Sequence, residues 1–396
     1  MSNEPDPLDA EAGFEVLDDF ERFSQKDDIY SRAFWDPEIR SEKTDRFFET
    51  YRTPLKVWKT VEGFTQRDYA LRNASWHLPD FFADLKESQN RREGFLDPFT
   101  VLREGPDQRV PVDSPEVMSR EVKHVARVFG ADLVGITGYD ERWVYTHSYS
   151  RLGETEKEQE LPSDLPNVIV IAQEMDRGLV ETVPSALSGT ATGVGYAQDT
   201  MVLLGIAQYL INLGYRAVAT MNDTALAIPY ALKAGLGEYG RHGLLITKEF
   251  GPRVRIGKIF TDLPLAHDRP AGFGVTEFCK TCRRCSDACP VNAIPDGPPS
   301  DEVHNRSNIV GIRKWTVDAE PCFRFWSNQN SDCSICIRVC PYNRDFSSLA
   351  ARAWRWLAGT RLRRLALWLS DHFTPGARVG PDAWWRSGLR KHLRGR

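Results

Sequence analysis

Apolar and polar positions between residues 115 and 268 follow two alternating patterns. Short apolar runs at 131–137, 167–173 and 254–260 are typical of buried β-strands. The stretches between them carry apolar residues at helical spacing, most clearly at 198–215, where a glycine near the end predicts a helix stop. Further elements are predicted at 216–221 and 244–247 (strands) and at 224–235 (helix). This alternation predicts an α/β (α+β) domain over 115–268.

The glycine-rich segment 189–195 has the composition of a nucleotide-binding loop. It does not closely follow a predicted strand, and its glycine spacing differs from that of the dinucleotide fingerprint. A nucleotide site is therefore excluded here.

The pattern changes on both sides of this domain. Residues 1–30 are strongly acidic and predict a solvated, partly disordered arm. Residues 31–114 predict short helices without recognisable chemistry. Residues 269–345 form a cysteine module, and residues 346–396 form a basic, tryptophan-rich segment. Within the latter, 352–373 is helical and amphipathic and predicts a docking element that covers the cysteine module, meets an acidic electron donor or contacts a membrane surface.

Composition narrows the class of protein. The chain has 396 residues, 41% hydrophobic and 27% charged, with a net charge of −4, so nucleic-acid binding is not expected. No apolar run reaches the ~20 residues needed to span a bilayer. The first residues contain no basic region or apolar core typical of an export signal, so a cytoplasmic protein is expected. The oligomeric state is not indicated.

All eight cysteines lie between Cys279 and Cys340. Such clustering favours metal binding over disulfides. The first four cysteines have the x2, x2, x3-Pro spacing of bacterial ferredoxins, in which the fourth cysteine binds the other cluster. The second motif repeats the Cys-x2-Cys-x3-Cys-Pro ending.

Two [4Fe–4S] clusters with crossed ligands are therefore predicted. One is expected on Cys279, Cys282, Cys285 and Cys340, and the other on Cys289, Cys322, Cys333 and Cys336. Paired zinc sites are the alternative, because zinc also accepts four thiolates. Because two such clusters relay electrons and do not catalyse, a second redox centre is expected in the same chain.

Three long segments resemble corrinoid-dependent reductive dehalogenases. Segment 314–345 resembles their iron–sulfur region, and segments 185–201 and 222–265 resemble their cobalamin domain. The chain is identified as a member of that family, which is related to epoxyqueuosine reductase. Where epoxyqueuosine reductase has Gly-x-Asp-Tyr-His, this chain reads Gly195-Tyr196-Ala197-Gln198. A tyrosine thus replaces the catalytic aspartate, as it does in the dehalogenases.

The resemblance implies a nitroreductase-like domain that holds cobalamin base-off, followed by a ferredoxin-like module. It also implies that Tyr196 donates a proton, that Asn222 hydrogen-bonds substrate or tyrosine, and that Arg255 stabilises the phenolate. Arg253 is the fallback, since the two arginines are expected on opposite faces of a strand. Asn222 and Asp223 are also natural helix caps.

Cofactor contacts are less defined. Gly237, Gly240 and Gly243 are expected either to let the backbone approach the corrin or to form turns. Lys258 is expected to be a corrinoid contact or a solvated strand residue. His242 could bind cobalt, but the base-off habit of the family argues against it.

The resemblance implies a reductive dehalogenase that replaces a halogen of an organohalide by hydrogen, with electrons from a separate donor such as ferredoxin or flavodoxin. The alternatives are another corrinoid iron–sulfur reductase, such as an epoxyqueuosine-reductase-like enzyme, and a non-catalytic electron-transfer protein. Neither a haloalkene nor a haloarene is favoured as substrate.

Overall fold

The computed structural model describes residues 6–52, 61–88, 102–150, 155–159, 161–373 and 377–394. Its helices are α1 (Pro7–Ala12), α2 (Ile29–Trp35), α3 (Glu42–Arg52), α4 (Gln66–Ser88), α5 (Pro115–Val128), α6 (Arg177–Val180), α7 (Gly189–Asn212), α8 (Ala227–Lys233), α9 (Val275–Cys279), α10 (Arg284–Asp287), α11 (Ala319–Gln329), α12 (Ile335–Val339), α13 (Leu349–Ala358), α14 (Arg363–Phe373) and α15 (Pro381–Arg394).

The strands are β1 (Glu15–Val16), β2 (Leu133–Gly138), β3 (His147–Ser150), β4 (Thr155–Glu158), β5 (Asn167–Glu174), β6 (Ala217–Thr220), β7 (Glu238–Tyr239), β8 (Leu245–Ile246), β9 (Val254–Thr261) and β10 (Ile312–Arg313). Four of them form the central sheet in the order β2-β5-β9-β6, and every neighbouring pair is antiparallel. The fold is therefore mixed α/β, built on an antiparallel sheet.

The central sheet is buried on both faces, which explains why its strands read as continuous apolar runs. One face packs against α5 and α7 through residues such as Ile171, Leu203 and Ile259. The other face packs against α8 through residues such as Val170, Tyr230 and Phe260. Helix α7 thus crosses the sheet next to β9, and this crossing positions the candidate site.

The N-terminal arm differs from the prediction. The described part, residues 6–30, is not a solvated, disordered arm: β1 pairs with β10, and Ala12 and Phe14 belong to the core beneath α8. Lys233 of α8, itself 2% exposed, binds the carboxylates of Asp6 and Asp9. The acidity of this segment therefore serves a buried ion-pair network, which local composition cannot reveal.

Two helices also differ from their predicted extents. Helix α4 runs for 23 residues, although only short helices were predicted there. Helix α7 begins at Gly189, so the glycine-rich segment 189–195 forms its first turns. A side chain at Gly193 would approach Ser75 Oγ of α4 to 2.1 Å, so the small residues let the two helices pack closely. The predicted helix at 352–373 is a pair, α13 and α14, interrupted at Gly359.

No helix in the part of the chain that the structure describes combines the length and apolar character required to cross a bilayer.

Candidate active site and metal centres

The three residues expected to be catalytic meet at one oxygen atom. Tyr196, on the sheet side of α7, is 6% exposed. Its phenol oxygen accepts short hydrogen bonds from the Asn222 side-chain amide and from Nη2 of Arg255. The Arg255 guanidinium carbon also lies 4.1 Å from the centre of the Tyr196 ring. The arrangement can hold a proton on the phenol and stabilise the oxygen once that proton leaves.

Arg255 reaches the phenol because α7 has no side chain in its path. Arg255 lies on β9 and passes close to Gly195 of α7. A Cβ atom at Gly195 would be 2.5 Å from Arg255 Cγ. Arg253 precedes the strand, and it binds Glu174 Oε1 at 2.5 Å and the Met175 carbonyl at 2.9 Å. The two arginines do not lie on opposite faces of one strand, as was predicted, since residues two apart on a strand share a face. The start of β9 at Val254 separates the two arginines.

Asn222 is held by the loop that follows β6. The Asp223 carboxylate accepts a hydrogen bond from the Met221 amide at 2.9 Å, and Tyr145 donates to the Asn222 carbonyl at 3.3 Å. Helix α8 begins at Ala227 after Leu226, so neither Asn222 nor Asp223 acts as its cap. The capping role that the sequence left open is therefore not used.

Lys258 is neither solvated nor on the surface. It is fully buried on β9 and donates a hydrogen bond to the Met221 carbonyl, next to Asn222. Burial lowers the pKa of Lys258 to about 8, and nearby Asp223 and Asp199 oppose that shift. In the described structure Lys258 therefore supports the Asn222 loop.

An aromatic wall covers Tyr196 from the N-terminal helices, where the sequence showed no chemistry. The Trp76 ring lies 5.1 Å from the Tyr196 ring, and the Tyr51 ring lies 5.2 Å from Trp76. The Tyr51 hydroxyl bonds to Asp332, the residue before Cys333. The contacts of Trp76 with Tyr196 and of Tyr51 with Asp332 join residues more than 100 positions apart, so no local motif indicated them.

Sequence reasoning also missed Asp199, one helical turn after Tyr196. It is fully buried, and neither of its carboxylate oxygens has a hydrogen-bond partner in the described structure. Burial raises the pKa of Asp199 to about 7, although Arg255 and Lys258 oppose the shift. Burial likewise raises the pKa of Tyr196, with Arg255 opposing it and Asp199 adding to it. A lone acid on the apolar face of a predicted helix was the available signal.

Four of the cysteines line one small cavity. Its walls are formed by the thiols and by four other side chains or backbone segments: Cys279, Cys282, Cys285, Cys340, His242, Phe278, Pro341 and Tyr342. Burial raises the pKa of Cys285 to about 12, and the neighbouring Cys282 adds to the shift. Buried thiols without disulfide partners that converge on one space fit a metal cluster, because metal binding would take their protons.

Among the other four cysteines, neighbouring thiols also raise one another's pKa. Burial raises the pKa of Cys322 to about 12, with Cys333 and Cys289 as the next causes, and burial raises the pKa of Cys336, with Cys333 and Cys322 next. The structure thus brings together in one cavity the four thiols of the first predicted set. Cys285 of that set also raises the pKa of Cys336, and the division of the thiols into two sets stays a prediction. Which cluster they bind remains a prediction at this point.

The glycines expected to contact a corrin lie in the β7–β8 hairpin. A side chain at Gly237 would approach the Ile246 carbonyl oxygen to 2.2 Å, and one at Gly240 would approach the Ile246 side chain to 2.7 Å. Gly243 has a φ of +75°, which a turn requires. Packing within the hairpin accounts for all three, and their cofactor contact stays a prediction.

Within the described ranges, one group of three or more acidic, histidine or cysteine side chains outside the cysteine module converges closely: Asp6, Asp9 and Asp140. Lys233 Nζ lies 2.7–2.8 Å from all three carboxylates, so an ammonium ion fills this site. No such group adjoins Tyr196 in these ranges.

Two family profiles match the chain. Residues 278–343 match the 4Fe-4S double cluster binding domain, and residues 148–265 match the reductive dehalogenase subunit. The first match covers the cysteine module and favours iron–sulfur clusters over zinc. The second covers Tyr196, Asn222 and Arg255.

Relatives of this chain include enzymes named tetrachloroethene reductive dehalogenase. The chain is 38% identical over 288 residues to a tetrachloroethene reductive dehalogenase of Desulfitobacterium hafniense, covering 63% of this chain and 52% of the relative. It is 29% identical over 375 residues to the enzyme of the same name from Sulfurospirillum multivorans, covering 83% and 74%. An epoxyqueuosine reductase of Lactococcus garvieae is 32% identical over 148 residues, covering 36% and 39%.

The fold is also shared. A solved catabolic reductive dehalogenase superposes with a TM-score of 0.72 at 22% identity, covering 94% of this chain and 49% of that one. The match to the Desulfitobacterium relative likewise spans about half of that protein, 52%. The cysteine module and the tyrosine site both lie inside the matched segments, so the chain is similar to reductive dehalogenases in both of these regions.

Proposed function

We propose that this protein catalyses reductive dehalogenation of an organohalide. In this reaction R–X, two electrons and one proton give R–H and X⁻: the carbon–halogen bond breaks, a carbon–hydrogen bond forms, and the carbon is reduced. The observation that carries the proposal is the buried Tyr196 phenol, held by both Asn222 and Arg255. A protein that only carries electrons has no use for a buried proton donor prepared in this way.

The chain's residues would hold two kinds of cofactor. The cavity set of Cys279, Cys282, Cys285 and Cys340 would bind one [4Fe–4S] cluster, and Cys289, Cys322, Cys333 and Cys336 the second. The α/β domain, nitroreductase-like by family resemblance, would bind cobalamin without a protein ligand on cobalt. When bound, cobalamin supplies the cobalt that cleaves the carbon–halogen bond, and the clusters supply its electrons.

Each polar group at the site would have a distinct role. The Tyr196 hydroxyl would give its proton to the carbon that loses the halide. Burial disfavours the phenolate that remains, so the adjacent Arg255 charge is needed to stabilise it. Asn222 would fix the direction of the phenol oxygen. Trp76 would shield the group from water, because its ring packs against Tyr196.

Electrons would pass through the clusters in a fixed order. Cys333 adjoins Asp332, which bonds to Tyr51 in the aromatic wall over Tyr196. The second-motif cluster would therefore face the active site. The first-motif cysteines pack beneath α13 and α14, so that cluster would receive electrons from outside.

The external donor would be a small acidic electron-transfer protein of the ferredoxin or flavodoxin type. The α13–α14 pair exposes Trp356 (70%) and Trp368 (49%) on its helices and Leu362 (54%) in the linker between them. Exposed basic side chains surround them, among them Arg352, Arg361 and Arg364. We call this face the hairpin face. Its positive charge complements an acidic partner, and its exposed aromatics suit a transient interface.

The test is anaerobic reconstitution with cobalamin and a strong artificial reductant, followed by measurement of halide release from haloalkenes and haloarenes. Stoichiometric halide and hydrogenated product from at least one class are expected. A protein that retains both clusters but binds no cobalamin would instead be an electron carrier. Bound cobalamin with no halide from any substrate would point to another reductase of the corrinoid type.

A further inference from the structure

The cavity lined by the first-motif cysteines contains two polar side chains that no part of the proposed reaction uses. His242 and Tyr342 both line it, 5% and 0% exposed respectively. His242 Nε2 and the Tyr342 hydroxyl have no hydrogen-bond partner in the described structure. A buried donor without a hydrogen-bond partner destabilises a fold, so two of them at one cavity indicate an acceptor that belongs there.

The imidazole of His242 presents a proton toward that acceptor. Its Nδ1 accepts a hydrogen bond from the Leu244 amide at 3.3 Å. Since Nδ1 accepts this hydrogen bond, it carries no proton and the ring is neutral. A neutral imidazole with an accepting Nδ1 carries its proton on Nε2. The unpartnered nitrogen is therefore an N–H donor.

The neighbouring Arg241 places positive charge close to the same cysteines. It is 1% exposed, and its guanidinium donates to the carbonyls of Cys279 at 2.8 Å and of Cys282 at 3.0 Å. It also reaches the carbonyls of Pro295 and Gly297. Among the described contacts of Arg241, all hydrogen bonds go to backbone carbonyls and none to a carboxylate. Its charge therefore remains available to an anionic group held by the thiolates.

We propose that His242 and Tyr342 donate hydrogen bonds to the sulfur atoms of the cluster held by Cys279, Cys282, Cys285 and Cys340, and thereby raise its reduction potential. Donors to cluster sulfur and nearby positive charge stabilise the more negative, reduced state. The cluster that receives electrons would thus accept them more readily from a donor. The inference rests on the proposed cluster assignment but on neither cobalamin nor substrate.

The test is a redox titration of the purified holoprotein, monitored by electron paramagnetic resonance. His242→Leu and Tyr342→Phe should each shift one cluster to a more negative midpoint potential and leave the other unchanged. Tyr209→Phe is the matched control, since Tyr209 lies on α7 and bonds Glu121 far from the cavity. Unchanged potentials in both variants, with both clusters intact, would overturn the proposal.

A second measurement uses the native sequence, in case a variant fails to assemble its cluster. Protein labelled with ¹⁵N-histidine is reduced and studied by pulsed electron paramagnetic resonance. A hydrogen bond from His242 should give a histidine-nitrogen coupling to one reduced cluster, and the absence of any such coupling would contradict the proposal. Neither readout requires halide release, so a failed dehalogenase assay and a failed tuning proposal are separate results.

Discussion

At the residue scale, the site depends on how one phenol is buried. Removal from water makes the Tyr196 proton harder to release, and Arg255 acts against this effect. Asp199 lies one turn away without a hydrogen-bond partner in the described structure, so its ionised form is poorly stabilised. The protonation of Asp199 and the charge available to Tyr196 are therefore linked, because Arg255 acts on both.

Asp199 predicts a pH-dependent stability difference. Burial raises its pKa to about 7 in the folded protein, against ~3.9 when unfolded. The folded state retains a proton that the unfolded state has released, so this residue destabilises the fold as pH rises from about 4 to about 7, by up to ~1.4 kcal/mol per pH unit. Asp199→Asn should therefore gain stability over the native protein, and the gain should grow across this range and level off above it.

Anaerobic thermal unfolding of the holoprotein at several pH values measures this gain. Asp301→Asn, at an exposed position, is the matched control and should show no such trend. An Asp199→Asn gain of equal size at pH 5.5 and pH 8 would mean that Asp199 is ionised throughout.

Tyr196, Asn222 and Arg255 were predicted from the sequence because the family resemblance implied a role for each of them. The sequence could not show Asp199 or Trp76, since their importance arises from what they face after folding. It also gave a faulty reason for choosing between Arg253 and Arg255. The actual reason is the position at which β9 begins, and strand ends are poorly defined by apolar patterns.

At the element scale, the approach of α7 to β9 depends on a missing side chain. Gly195→Ala should place a methyl group in the space of Arg255 Cγ, where the separation would be 2.5 Å. The strain, typically ~1–3 kcal/mol, should move Arg255 away from the phenol and reduce turnover at least about tenfold, while both clusters are retained. Halide release and iron content measure the two effects.

Gly272→Ala is the control for this substitution, because a side chain there meets open space. Native-like turnover of the Gly195→Ala variant would show that Arg255 is not constrained by α7.

The α13–α14 pair has one face packed over the cysteine cavity and one face exposed to solvent. Trp354 packs its ring 5.2 Å from Tyr342 and donates to the Ala366 carbonyl at 2.8 Å, so the pair covers the cysteine cavity. The predicted covering role is thus seen in the packing, whereas donor docking on the hairpin face is proposed.

Reversing the charge of the hairpin face should weaken binding of a protein electron donor. Arg361→Glu with Arg364→Glu should slow reduction by an acidic ferredoxin at least about tenfold at low salt, with a smaller effect at high salt. A small artificial reductant should reduce the variant at the native rate. Arg120→Glu on α5 is the control. Equal slowing with both reductants would indicate damage to the cluster.

Elements with strong periodicity were predictable, and elements whose order comes from distant partners were not. The apolar runs at 167–173 and 254–260 became β5 and β9, because a strand buried on both faces must be apolar throughout. The acidic arm was misjudged, because Lys233 and β10 order it from more than 200 residues away.

At the scale of the whole molecule, the two thiol sets and the phenol site form one connected unit. Two clusters predict close to eight iron atoms and eight sulfides per chain with negligible zinc. Cys340→Ser should damage the first-motif cluster, because Cys340 lies with Cys279, Cys282 and Cys285 in one cavity. Cys289→Ser is the matched comparison and should damage the other cluster.

Iron analysis with Mössbauer or paramagnetic resonance spectroscopy distinguishes these outcomes. Loss of the second-motif cluster in Cys340→Ser would disprove the crossed assignment. An iron content near four in the native protein would leave room for one cluster.

The cysteine spacing predicts two ligand sets, since cluster geometry restricts ligand spacing in sequence. The structure brings the four cysteines of one of these sets to a single cavity. The position of the module relative to Tyr196 was beyond the sequence, because it depends on contacts such as Tyr51 with Asp332.

Tyr196→Phe tests the central claim most directly, because it removes one hydroxyl and leaves the ring. Halide release is measured anaerobically with cobalamin and an artificial reductant, alongside Tyr209→Phe, which makes the same change elsewhere on α7. Tyr196→Phe should retain both clusters and bound cobalamin but lose ~100- to 10,000-fold in turnover, while Tyr209→Phe stays near native. Near-native turnover of Tyr196→Phe with intact cofactors would contradict the account.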